Sequence, residues 1–221
     1  MKPGILLHLR SYFSEKILHE EISESGKALH VEINSGRLIL NSENVNYSFG
    51  RLHDVFRKTF SLLRISGRKT DSVLLLGLGA GSVPAIFRNE YGGEKSVTGI
   101  ESDQKVLEIG RRFFGLNEYK NLEIIHADAC EFIHSCEKKF DLVIVDLFID
   151  DKVPACAETE EFFIHLMKVA APGGLVLYNR LGFREDLAQE SLAFHKRMKQ
   201  VNPELRYLRV INNYMLYVEK A

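Results

Sequence analysis

Three carboxylates stand where short apolar runs end: Glu101 closes SVTGIE, Asp128 follows LEIIHA, and Asp146 lies in FDLVIVDLF. Upstream, VLLLGLGAGSVPAIF sets Gly77, Gly79 and Gly81 between an apolar run and a helical pattern. Glycines at such a place permit a tight turn, a close backbone approach to a ligand and free N–H groups at the next helix's start. Turns of this kind serve dinucleotides, nucleoside triphosphates and S-adenosylmethionine alike. A carboxylate twenty residues after Gly81 can accept hydrogen bonds from both hydroxyls of a ribose, and Glu101 is so placed. Asp128 could accept from an adenine amino group. Singly, each acid reads better as a helix N-cap or a solvated loop residue. All three at strand ends, converging on one Gly-rich loop, point to a nucleoside site. Ser102 and Ala129, the neighbours of two of these acids, are expected to share in it.

The elements that would carry these residues follow from periodicity. From Ser72 onward five short apolar runs without clean polar alternation (VLLLGL, SVTGIE, LEIIHA, FDLVIVDLF and GLVLYN) alternate with helical segments near 82–91, 103–114, 129–137 and 159–170. Strands buried on both faces and joined by helices predict a parallel, doubly wound α/β sheet. After a helix near 186–200, ELRYLRVIN and YMLYVEK are separated only by Asn212-Asn213, a link that permits a hairpin but no parallel crossover. The expected sheet is therefore parallel with an antiparallel edge. Ahead of it, ALHVEINSGRLILN predicts a hairpin with Leu29, Val31 and Ile33 on one face, a turn at Asn34-Ser35-Gly36, and Leu38 and Leu40 returning. Phe49, Leu52, Phe56, Phe60 and Leu63 form one helical stripe. These readings divide the chain into a β-strand module over 1–47 and a Rossmann-like domain over 48–221, with 48–66 as a linking helix.

Bulk properties exclude rather than assign. With 29 Lys and Arg against 30 Asp and Glu, the net charge of -1 exerts no global pull on nucleic acid or an anionic membrane. The basic runs GRKTD and HKRMK have no interleaved aromatics for base stacking. ILLHL near the start is too short for a signal segment, and no run approaches a membrane span. Three cysteines (Cys130, Cys136, Cys156), without paired metal spacing, read as free thiols in a reducing cytoplasm, with no metal site.

In these motifs the sequence resembles the class I S-adenosylmethionine-dependent methyltransferases, within them the spermidine-synthase-like branch, from about Val73 to Asn179. VDLFIDDKVPACAETEEFF looks like the branch's D-x-F-x-x-D-x-[IV]-P-…-T-x-E-F segment, with Asp146, Phe148, Asp151, Pro154, Thr159, Glu161 and Phe162 in matching places. The resemblance implies a seven-stranded sheet whose last strand is antiparallel, Glu101 on ribose, Asp128 on adenine, and Asp146 on the reactive sulfonium side. It implies S-adenosylmethionine or its decarboxylated form as donor, a small amine or protein acceptor, and a homodimer. Asp146 and Asp151 would orient the acceptor amine, with Asp146 receiving its proton. Asn179 and Tyr178 are further rim candidates, although Tyr178 reads better as a core aromatic.

Two departures bear on which group moves. Aminopropyltransferases carry an acid in the Gly-rich loop, where this chain has Ala80, and an acidic polyamine stretch, where this chain has SFGRLHD with Arg51. A loop aspartate about 4 Å from the carboxylate of S-adenosylmethionine would cost about 4 kcal/mol at an effective dielectric of about 20. The expectation is therefore methyl transfer to an amine, with aminopropyl transfer as the alternative. The loop and Glu101 would also suit a nicotinamide-dependent oxidoreductase, against which Ser82 takes the third-glycine place. A non-catalytic relative would keep the same fold without the chemistry.

Overall fold

The computed structural model describes residues 8, 10–12, 14–43, 45–92 and 95–221. Two sheets are present among them. The first is antiparallel, in order β1 (Lys16–Ile22), β2 (Ala28–Asn34), β3 (Arg37–Asn41) and β4 (Asn46–Ser48). Its central turn is the expected one: Asn34 pairs with Arg37, and Ser35 and Gly36 between them both take positive φ, as a two-residue hairpin of matching twist requires.

The second sheet runs β10-β11-β9-β8-β5-β6-β7, from β5 (Ser72–Leu76), β6 (Ser96–Glu101), β7 (Leu122–His126), β8 (Phe140–Val145), β9 (Ala170–Leu181), β10 (Arg206–Val210) and β11 (Asn213–Glu219). Strands β5 to β9 pair in parallel, while β11 pairs antiparallel with both β9 and β10. The expected antiparallel last strand and terminal hairpin are thus present, with β11 slotted inside the sheet and β10 at its edge. Burial explains the choice, since β11 is almost wholly buried and β10 mostly exposed. Strand β9 also starts earlier than GLVLYN suggested, because Pro172-Gly173-Gly174 is absorbed as an irregularity in its pairing rather than preceding it.

Among the described residues the helices that cover this sheet are α1 (Gly50–Leu62), α2 (Ser82–Glu90), α3 (Gln104–Phe113), α4 (Ala129–Ser135), α5 (Glu160–Val169) and α6 (Glu185–Val201). Alternation along the buried strands sorts the core. Leu74, Leu76, Val143, Val145, Val176 and Tyr178 face α4, α5 and α6; Val73, Leu75, Leu142, Ile144, Leu175 and Leu177 face α1 and α2. A third cluster, of Leu29, Val31, Leu40, Ala80, Val106 and Ile109, joins the small sheet to the Gly-rich turn and α3. No helix among the described residues is long and apolar enough to cross a membrane.

Candidate active site

The carboxyl ends of β5, β6, β7 and β8 surround a cavity that the small sheet closes from one side. Gly77, Gly79, Glu101, Ser102, Asp128, Ala129 and Asp146 all line it. The close turn at Gly77 is enforced by neighbours. The amides of Gly77 and Leu78 donate to the Ile100 carbonyl at 3.0 and 2.9 Å, and Asp146 N–H donates to Leu76 O at 2.8 Å. Gly77 has φ +89°, and a β-carbon there would sit 2.1 Å from the Asp146 carbonyl oxygen. No other residue type fits without moving the end of β8.

Glu101 is buried and anchored at both oxygens: Oε2 accepts from Gly79 N–H at 2.8 Å and Oε1 from Asp103 N–H at 3.0 Å. Burial raises its pKa, and those backbone donors oppose the rise. A carboxylate oxygen has lone pairs to spare, so each can still accept a hydroxyl from the cavity. Asp128 is a helix N-cap at the cavity's edge. Its Oδ1 caps α4, accepting from Cys130 N–H at 2.7 Å and Glu131 N–H at 3.0 Å, and the residue still borders the cavity.

Asp146 keeps part of its surface open to the cavity, yet the surrounding protein strips enough water to push its pKa up to about 7, against the lowering effect of a hydrogen bond from Asn179. Asn179 Nδ2 donates to Asp146 Oδ1 at 2.8 Å, and Asn179 Oδ1 accepts from Asn213 Nδ2 at 2.8 Å. This relay fixes the carboxylate's orientation from behind.

Several expected site residues lie elsewhere. Ala80 is fully buried in the cluster that joins the small sheet to α3, and Gly81 has its Cβ position 2.8 Å from Leu116 Cδ1; neither lines the cavity. Asp151 Oδ2 is bound by Arg184 Nη1 at 2.8 Å, outside the cavity lining. Tyr178 is a core aromatic whose hydroxyl donates to Ala157 O at 2.7 Å.

The sequence missed Tyr47 and Ser48, the end of β4, which form one wall of the cavity. Burial, then the nearby charges of Glu101, Asp103 and Asp146, hold the Tyr47 hydroxyl well above its ordinary pKa. Nothing local in NVNYSF marks this; the contact exists only once the sheets meet. The thiols also need correction. Cys130 and Cys156 form a disulfide beside the cavity, leaving Cys136 free. A residue on α4 and one in the segment before α5, 26 positions apart, are brought together only by the fold. A loop of that size gains about 3 kcal/mol from the bond. Cys156→Ser should therefore lower the unfolding free energy by about that amount in a denaturant titration run without reductant, and an unchanged midpoint would refute the linkage.

A family model for the spermine/spermidine synthase domain matches residues 58–218. A polyamine aminopropyltransferase of Vibrio vulnificus is 26% identical over 129 residues, covering 57% of this chain and 43% of that protein. An eEF1A lysine and N-terminal methyltransferase homolog of Drosophila melanogaster is 26% identical over 129 residues, covering 54% of this chain and 19% of that protein. The chain spans less than half the length of the curated relatives it matches. Among solved structures, that of a probable spermidine synthase from Corynebacterium glutamicum superposes with a TM-score of 0.74 at 19% identity, over 92% of this chain and 80% of that one. With its carboxylate-ringed cavity on a Rossmann-like, mostly parallel sheet, the chain belongs to the spermine/spermidine synthase domain family, the polyamine-synthase branch of the class I methyltransferase-like fold.

Proposed function

We propose that the chain transfers an aminopropyl group from decarboxylated S-adenosylmethionine to an amine. The observation that carries this reading is the charge of the cavity. Glu101, Asp128 and Asp146 line it, and no Lys, Arg or His does so among the described residues. S-adenosylmethionine brings a carboxylate, which would find no cation there. Its decarboxylated form brings a sulfonium and an ammonium without that carboxylate, and so suits an acidic wall. The aminopropyltransferase relatives support the same reading.

This reverses the order of the two readings, placing aminopropyl transfer ahead of methyl transfer. The earlier order rested on Ala80 in the Gly-rich loop and on Arg51 in place of an acidic stretch; Ala80 is buried outside the cavity lining, so the first departure no longer bears on the donor. Methyl transfer stays as the second reading because methyltransferase homologs are among the relatives.

The donor, when bound, supplies an alkyl carbon on a cationic sulfur. An amine lone pair forms the N–C bond as the C–S bond breaks, its electron pair returns to sulfur, and the new ammonium sheds a proton. The protein's tasks are then few. Glu101 holds the ribose, and Asp128 with Ala129 borders the base. Asp146 orients the amine and takes the proton, for which a pKa of about 7 is well matched. Asn179 and Asn213 keep its carboxylate aimed at the cavity.

Thermal unfolding against four compounds tests the reading: S-adenosylmethionine, its decarboxylated form, S-adenosylhomocysteine and methylthioadenosine. The decarboxylated donor and methylthioadenosine are expected to give the larger upward shifts. Larger shifts from the two carboxylate-bearing compounds would restore methyl transfer, and no shift from any would end the nucleoside assignment.

A further inference from the structure

A second recess adjoins the donor cavity, sharing Val45, Asn46, Leu52 and Leu181 with it as a common wall. Arg51, Phe183, Asn212 and Asn213 help complete its lining. Asn213 also begins the relay that ends on Asp146, so the recess and the proposed base are joined through two side-chain amides. The two spaces share the wall of Val45, Asn46, Leu52 and Leu181, so an amine held in the recess lies beside the cavity that Asp146 lines.

The charge of the recess is the informative feature. No carboxylate lines it among the described residues, and its cationic side chain is Arg51. Arg51 lies in the first turn of α1, is exposed, and makes no ion pair among the described residues. The nearest acid in sequence, Asp54, sits between Arg37 and Arg57 instead. Asp151, expected to hold an acceptor amine, is itself bound by Arg184, which also grips Asp186. A diamine of which one end reacts keeps a second ammonium, and among the described lining side chains the polar groups this recess offers are a guanidinium and amides. An acceptor with an anionic far end instead meets a planar fork of donors.

Resting on the transferase reading above, we infer that the acceptor is a small amine that also carries a carboxylate, its anionic end held by Arg51 in the recess and its neutral amine directed toward Asp146, and not a polyamine. The aliphatic wall of Leu52 and Leu181 suits the methylene chain between the two ends. Such an acceptor reconciles an aminopropyl donor site with a recess that has no acid among its described lining residues, where a polycation would have to lie.

Calorimetric titration of 4-aminobutyrate and of 1,4-diaminobutane tests this, with protein saturated by whichever of methylthioadenosine and S-adenosylhomocysteine binds, and again with the free protein. The amino acid should bind at least tenfold tighter than the diamine. Arg51→Glu should invert that order, while Arg51→Lys should keep it. A diamine that binds as tightly as the amino acid, an order unmoved by Arg51→Glu, or no binding of the amino acid in either condition would each overturn the inference. Failure of both thioethers to bind would instead overturn the transferase reading, and the free-protein titration would still judge the recess.

Discussion

Asp146→Asn should abolish most turnover and yet make the folded chain more stable. The carboxylate's pKa rises from an ordinary 3.8 to about 7, chiefly because the protein around it displaces water. Between those values the folded state binds a proton that the unfolded state has lost. Its contribution to stability is therefore greatest below about pH 4, declines as the pH climbs to about 7, and is flat above that. At one pKa unit per 1.36 kcal/mol, the penalty at neutral pH is up to about 4 kcal/mol. Asparagine carries no charge to desolvate and can still accept the Asn179 hydrogen bond. Denaturant titrations should accordingly show the variant gaining little at about pH 4 and most at about pH 8. Turnover should fall about 100- to 10,000-fold, the range for losing a positioned general base, and the rising limb of the pH–rate profile near 7 should disappear. A variant with unaltered turnover would remove Asp146 from the chemistry; an equal stability gain at both pH values would remove desolvation as the cause of its titration.

The second large effect is expected at Gly77. An added β-carbon would lie 2.1 Å from the carbonyl oxygen and 2.8 Å from the carbonyl carbon of Asp146, and φ there is +89°. The backbone strain alone costs on the order of 1–3 kcal/mol. The collision must also push apart two strand ends that are held by mutual backbone hydrogen bonds. Gly77→Ala should thus cost on the order of 4 kcal/mol or more, which is exceptional for one methyl group. Any protein that folds should have lost donor binding, because the displaced backbone carries Asp146. Gly26→Ala is the control, with φ +78° but nothing within 4 Å of the new carbon, and it should cost only about 1 kcal/mol. Comparable losses at the two sites would show that strain, not the approach of Asp146, sets the requirement.

Much of this arrangement could be read from the chain. Glu101, Asp128 and Asp146 meet because a parallel sheet gathers the carboxyl ends of its strands at one rim, so three acids in matching places along the sequence become neighbours in space. The N-cap and site readings of Asp128 are compatible, since a carboxylate has two oxygens and the cap uses one. What escaped was direction and partnership. A loop position tells nothing of where its β-carbon points, and Ala80 is buried in the cluster that Leu29, Val31 and Leu40 form with Val106 and Ile109 of α3. Asp151 sits in a motif that resembles a site, but Arg184 reaches it from the start of α6, 33 positions away. Cys130 and Cys156 are likewise unremarkable until α4 and the segment before α5 pack together. The interior place of β11 was legible in principle, because YMLYV is more apolar than RYLRV, though strand order is a property of the whole sheet.

The wall that β4 lends to the cavity has a thermodynamic corollary. Tyr47 and Ser48 belong to one sheet, Glu101 to the other and Asp146 to the turn just after its strand β8, while Glu24 N–H reaches across to Asp103 Oδ2 at 2.8 Å. Anything lodged between them acts as mortar: its affinity counts toward keeping the two sheets joined. At a hundredfold excess over its dissociation constant that amounts to about 2.7 kcal/mol. The amino-terminal hairpins then share the fate of the cavity, firm when it is filled and looser when it is not.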